Sequence, residues 1–162
     1  MNLVTVMRSG VRIGVDVGSV RVGVAASDTT GLLATPVTVL RRDARGGRDL
    51  DDLVAIVAAR EAIEVVVGLP MHLRGNEGPA AAAARSYADT LATRVSPVPV
   101  RLVDERLSTV EAARNLRASG RDARASRGVV DAAAAAVLLQ SALDSERNTG
   151  KPAGELLEVT RD

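Results

Sequence analysis

Four carboxylates stand where a folded chain could use them for chemistry: Asp16, Asp104, Glu105 and Asp131. Asp16 closes an alternating run, with Val11, Ile13 and Val15 apolar, and is followed by the turn Val17-Gly18-Ser19. A carboxylate at a strand end beside exposed backbone can meet a ligand, and Gly18 lets a phosphate or a neighbouring strand come close. An Asp that merely caps its own turn is the ordinary alternative. Asp104 and Glu105 end the run Val98 to Val103. Successive strand residues point to opposite sides, so one of the pair can face a site while the other supports the turn that follows. Asp131 lies near the start of Val129 to Leu143, a largely apolar run. A charge there is costly unless it is paired, bound to a cation or placed in a first helical turn, where the dipole favours an anion. Crowded acids resist joint ionisation, and Mg²⁺ or Mn²⁺ removes that conflict, because hard oxygen ligands suit these ions and they bridge to phosphates. Two such ions about 3.5–4 Å apart can activate water and stabilise the leaving oxygen in phosphodiester hydrolysis. Cys is absent and His72 is the single histidine, which excludes thiolate and His-rich metal centres and leaves little room for a Ser-His-Asp triad.

The elements that must position these acids are legible in outline. Val11 to Asp16 has the period of a half-buried strand, Arg21 to Ala26 is a second, and the short turn between them predicts an antiparallel hairpin. A third strand is expected over Leu32 to Leu40. Helical spacing follows at Leu50, Leu53, Val54 and Val57. Ile63 to Val67 reads as a parallel strand buried on both faces, Ala80 to Thr93 as an Ala-rich helix, and Val98 to Val103 as a further strand. Ser108-Thr109-Val110-Glu111 is a capping box that starts a helix to about Ala118, with Gly120 as its stop. The apolar run Val129 to Leu143 is the last helix. This order predicts an α/β domain over residues 11–145, a mixed five-stranded sheet flanked by helices. Residues 1–10 are expected to form a flexible arm and 146–162 a loose polar tail. If the strands carrying Asp16 and Asp104 run parallel, both end on the edge where open α/β sheets bind ligands.

Four segments, in order and at suitable spacing, resemble one known family. They are Gly14-Val-Asp-Val-Gly-Ser-Val-Arg-Val-Gly-Val-Ala25, Val67-Gly-Leu-Pro70, Asp104-Glu-Arg-Leu-Ser-Thr-Val-Glu-Ala112 and Arg127-Gly-Val-Val-Asp131. Together they look like the motifs of the YqgF/RuvX family, RNase H-like nucleases described as Holliday junction resolvases and as pre-16S ribosomal RNA processing nucleases. The resemblance spans about residues 12–143, and the third motif is highly specific. It implies an RNase H-like fold, Mg²⁺ or Mn²⁺ as cofactor, and an acidic triad on Asp16, Glu105 and Asp131 with Asp104 as supporting acid. This chain carries Arg21 where the family usually has Lys, which keeps the charge for a phosphate contact. It carries His72 where the family often has Asn after Gly-Leu-Pro. Candidate nucleic-acid contacts are Gly18, Arg21, His72, Arg106 and the cluster Arg114, Arg117, Arg121, Arg124 and Arg127. Arg114 and Arg117 share a helical face, and a solvated polar connection is the plainer reading of the cluster.

Composition narrows the classes. The 162 residues suit one domain. Tyr87 is the only aromatic, which argues against recognition by base stacking and for recognition by shape and phosphate position. Arg outnumbers Lys twenty to one, yet the net charge is only +1, too even for a polybasic protein. No apolar run approaches the ~20 residues of a membrane span, and the absence of Cys fits a reducing cytoplasm. Two alternatives remain at this point: a silent nucleic-acid-binding or antitermination factor, and an ATPase of the sugar-kinase, actin and heat-shock chaperone superfamily. The second needs two such domains around its nucleotide, and the chain supplies one. A junction resolvase would act as a two-fold homodimer, whereas an RNA-trimming enzyme needs one active site.

Overall fold

The computed structural model describes residues 7–107 and 123–159, with side chains for all of these except 107 and 123–130. Strands β1 (Arg12–Val17), β2 (Arg21–Ser27) and β3 (Ala34–Arg41) form an antiparallel meander. Helix α1 (Arg48–Ala59) leads into β4 (Glu64–Leu69), and helix α2 (Pro79–Val95) into β5 (Val100–Asp104). A helical crossover returns the chain in the same direction, so β4 runs parallel to β1 and β5 parallel to β4. A long helix, α3 (Ala123–Thr149), precedes a short strand, β6 (Glu155–Leu156), and the sheet order is β3-β2-β1-β4-β5-β6.

Strand alternation divides the interior into two layers. Ile13, Val15, Val65 and Val67 face Leu53, Val57, Ala84 and Leu91 of α1 and α2. The opposite face carries Ala25, Val66 and Val103 against Ala135, Leu138 and Leu139 of α3. That second layer is thin because glycine stands in the strands beneath the helix. A Cβ on Gly14 would lie 2.7 Å from the Leu139 Cβ, and one on Gly23 only 2.0 Å from the Asp131 carbonyl oxygen.

The structure departs from the sequence reading at both ends and at one loop. The sheet has six strands where five were expected. The last helix does not stop at Leu143 but continues to Thr149, because Glu146 is buried and bonded by Arg12 and Arg8. Residues 146–159 are therefore not a loose tail: β6 pairs with Arg101 and Leu102, and Leu157 is buried. Arg8, expected in a flexible arm, bridges Glu64 and Glu146; residues 1–6 lie outside the described residues. β3 begins at Ala34 rather than Leu32, since the Asp28 carboxylate accepts the Leu32 and Leu33 N–H groups at 2.9 and 3.0 Å and holds both in a loop. The expected capping box at Ser108 to Glu111 and its helix to Ala118 lie outside the described residues.

Candidate active site

Asp16 is the fixed point of the site. It is next to last in β1, only 3% exposed, on the α3 face of the sheet. Its antiparallel neighbour is Gly23 of β2. On the other side Val15 lies beside Val67 of β4, so the next position along, Gly68, flanks Asp16. A carboxylate thus stands between two residues without side chains, and one vacated space is used by another acid and the other by helix backbone. Over Gly68 lies the Glu105 carboxylate, whose Oε1 would be 2.6 Å from a Cβ there. Over Gly23 lies the backbone of Asp131, at the closest approach of α3 to the sheet.

Asp104 and Glu105 divide the two roles open to them. Asp104 pairs in register with Leu69 and turns its carboxylate to Arg106, accepting the Arg106 backbone N–H at 2.9 Å and the Nε at 3.0 Å. The side-chain bond from Arg106, helped by that backbone N–H, holds the Asp104 carboxyl below the usual carboxylate range. Glu105 opens the 3₁₀ turn Glu105–Leu107 and reaches across β4 instead.

Asp131 does not share a cluster with the other two carboxylates. Its Oδ2 accepts the Arg21 Nε at 2.9 Å, with both side chains a quarter to a third exposed. Among the described residues, no three His, Cys, Asp or Glu side chains are placed to hold a metal ion together. The donors are nevertheless all carboxylate oxygens, as Mg²⁺ and Mn²⁺ require, and the space over Gly68 that admits Glu105 beside Asp16 is a cradle that any Cβ would fill. The chemistry of these donors suits a hard divalent cation, and the Asp131 carboxylate is held by Arg21.

The remaining candidates fall around this edge. The Gly18 N–H donates to the Arg21 carbonyl at 2.8 Å, closing the tight turn that carries Arg21. The His72 ring rests on Gly78 at the start of α2, while its carbonyl accepts from Arg106 at 3.5 Å. His72 thus ties its loop to Arg106 through backbone. Arg124 and Arg127 have their backbones in the first turns of α3; their side chains, and all of Arg114, Arg117 and Arg121, lie outside the described residues. Two arginines escaped the sequence reading. Arg41 of β3 is directly opposite Arg21, on the same face, and only the hairpin register could have revealed it. Arg42 donates to the Gly18 carbonyl at 3.0 Å from the far face, bracing the turn behind Asp16.

Residues 10–145 match the family model described as RuvX: Holliday junction resolvase. The chain belongs to the RuvX family. Relatives within reach of this RuvX chain bear the name "Putative pre-16S rRNA nuclease". One from Frankia casuarinae is 59% identical over 142 residues, 88% of this chain and 70% of that protein. Another, from a Nocardioides species, is 55% identical over 159 residues, 95% of this chain and all of that protein. Among solved structures, Thermus thermophilus RuvC bound to a Holliday junction substrate superposes with a TM-score of 0.54 at 20% identity, covering 89% of this chain and 99% of that one. That likeness shows the fold, which is RNase H-like, and the RuvX family makes the chain a nuclease.

Proposed function

We propose that this RuvX protein is a divalent-metal-dependent nuclease that trims pre-16S ribosomal RNA in the cytoplasm, with Asp16, Glu105 and Asp131 as its metal-holding acids. The observation that carries the reading is the row Gly23–Asp16–Gly68, in which Gly68 leaves room for the Glu105 carboxylate and Gly23 for the backbone of Asp131 beside the buried Asp16. Bound Mg²⁺ or Mn²⁺, as two ions, supplies an activated water and stabilises the leaving oxygen. The chain's own residues do the rest. Asp16 stands buried at the centre; the 3₁₀ turn places the Glu105 carboxylate over the neighbouring Gly68; Asp104 keeps Arg106 at the rim through both of its carboxylate oxygens. Arg21 and Arg41 offer positive charge to a phosphate where β2 and β3 meet the site. No helix among the described residues is long and apolar enough to cross a membrane.

The RNA reading rests on the relatives' name, and the family description favours a second substrate, a four-way DNA junction. A resolvase nicks two symmetric strands and so requires a two-fold homodimer. The test is cleavage of a pre-16S 5′ leader and of a four-way junction, side by side, in Mg²⁺ and in EDTA. Cleavage of the leader in Mg²⁺ only, lost in Asp16→Asn and Glu105→Gln, is the expected result. Paired nicks in the junction alone, by a dimer, would transfer the assignment to the second reading. Cleavage that survives in either variant would remove the chemistry from this site.

A further inference from the structure

Arg21 engages one of the three proposed metal-holding acids, donating its Nε to the Asp131 Oδ2. We propose that Arg21 is the resident counter-ion of Asp131 in the metal-free protein, and that loading the acidic edge with a divalent cation hands the Arg21 guanidinium from Asp131 to a phosphate of the nucleic acid. The inference rests on the metal-nuclease reading above and adds to it a device that opposes premature loading.

Three observations carry it. First, the Asp131 Oδ2 accepts the Arg21 Nε at 2.9 Å, and both side chains are partly open to solvent, so the pair can exchange without unfolding anything. Second, both backbones are fixed. The Asp131 carbonyl is pressed onto Gly23, and the turn that carries Arg21 is closed by the Gly18 N–H and braced by Arg42. Only side-chain rotation can separate the pair. Third, Arg41 stands opposite Arg21 in the hairpin. Like charges directly across a strand pair repel, and Asp131 offsets that repulsion while it holds Arg21. A cation drawn to Asp131 competes with the guanidinium bonded to the same carboxylate, because the two positive charges repel in a partly desolvated edge. When the cation enters, Arg21 leaves, and its new neighbour Arg41 makes a phosphate the natural partner: two forks, one anion.

This gives Arg21 opposite effects on two ligands. It weakens cation binding in the free protein and strengthens nucleic-acid binding in the loaded one. The experiment measures Mn²⁺ affinity by electron paramagnetic resonance on the nucleic-acid-free protein, for wild type, Arg21→Gln, Arg21→Lys and Asp16→Asn. Arg21→Gln should bind Mn²⁺ about two- to five-fold more tightly, from the size of a partly exposed ion pair, while Arg21→Lys stays near wild type. In Ca²⁺, without turnover, Arg21→Gln should bind pre-16S leader RNA more weakly, with a salt slope lower by about 1. In wild type, the Arg21 Nε–H resonance, slowed in exchange by its bond to Asp131, should move to fast exchange on adding Mg²⁺; this readout needs no variant to fold. Equal or weaker Mn²⁺ binding by Arg21→Gln, or an Nε–H signal indifferent to Mg²⁺, overturns the proposal and leaves the nuclease reading standing. Mn²⁺ binding unchanged in Asp16→Asn places the cation elsewhere and takes down both.

Discussion

At the scale of single residues, the site depends on what two positions lack. A Cβ at Gly68 would meet the Glu105 Oε1 at 2.6 Å, the end of a partly exposed side chain that can swing away, and the buried Leu138 Cδ2 at 2.9 Å, which must shift slightly. Gly68→Ala should therefore keep most of the fold's stability but push the Glu105 carboxylate out of the space it occupies beside β1. Cleavage should fall by at least ten-fold, while the thermal midpoint drops by only a few degrees. A Cβ at Gly23 would instead meet the Asp131 carbonyl at 2.0 Å and the Ala132 nitrogen at 3.0 Å, which are backbone atoms of a helix. Gly23→Ala should cost about 1–3 kcal/mol or more of stability by overpacking, and should lose activity with it. Calorimetry and a cleavage assay on the two proteins separate these outcomes; equal loss of stability in both would show that the Gly68 contact is structural too. The acids themselves were legible in the sequence, because strand ends and a charge in an apolar run announce themselves. The glycines were legible only as motif letters. Their meaning, closeness to a helix more than forty residues away, appears only in three dimensions. Arg41 was invisible for the same reason, since nothing local marks it as the neighbour of Arg21.

At the scale of elements, the chain's only aromatic fastens the two helices of the far face to the hairpin that carries the site. Tyr87 of α2 donates its hydroxyl to the buried Asp49 of α1 at 3.1 Å, and the Arg42 guanidinium lies 5.0 Å from its ring centroid. Burial first, then the Asp49 charge, push the Tyr87 phenol up from its ordinary value of 10.0. Between about pH 10 and that raised value the unfolded chain has lost a proton that the folded chain keeps. Stability that is full below about pH 10 must then decline as pH rises further. With one tyrosine and no tryptophan, phenolate absorbance reports this group alone. Its titration should be delayed until unfolding, and a midpoint near 10 in the folded protein would mean that the ring is solvated and the bond to Asp49 absent. Tyr87→Phe should cost about 1.5–3 kcal/mol, as expected for a lost bond to a charged acceptor. Most helices and strands were foreseen from periodicity, α3 through Leu143 included, whereas its continuation to Thr149 and β6 were not. Glu146 reads as the start of a polar tail, yet in the fold it neutralises Arg12, which is 1% exposed in β1 at 2.7 Å. A pairing across 134 positions leaves no trace in local hydropathy. Glu146→Ala, leaving Arg12 without that partner, should lose about 3–5 kcal/mol in chemical denaturation.

At the scale of the whole molecule, a net charge of +1 gives almost no general attraction for a polyanion. Affinity must come from where the arginines stand and which of them are already neutralised by acids of the chain itself. Arg85 of α2 illustrates the second condition. It donates to Glu155 at 2.7 Å and to Glu77 at 3.0 Å, and those bonds, Glu155 foremost, push its guanidinium pKa up. It is positive but occupied. Arg41, at the rim of the acidic edge beside Arg21, stands where a phosphate would arrive. Neutralising a phosphate releases counter-ions, so each engaged arginine contributes close to one unit to the slope of log affinity against log salt. The two positions should then behave differently although each substitution removes one positive charge. Arg41→Gln should lower the slope by about 1 and weaken binding to pre-16S leader RNA in Ca²⁺. Arg85→Gln should leave the slope unchanged and, by freeing two carboxylates, alter only the uniform background. Fluorescence anisotropy across a salt series measures both. If the two variants lose the same slope, the molecule binds through its overall charge, and the acidic edge is not where the backbone of the nucleic acid is gripped.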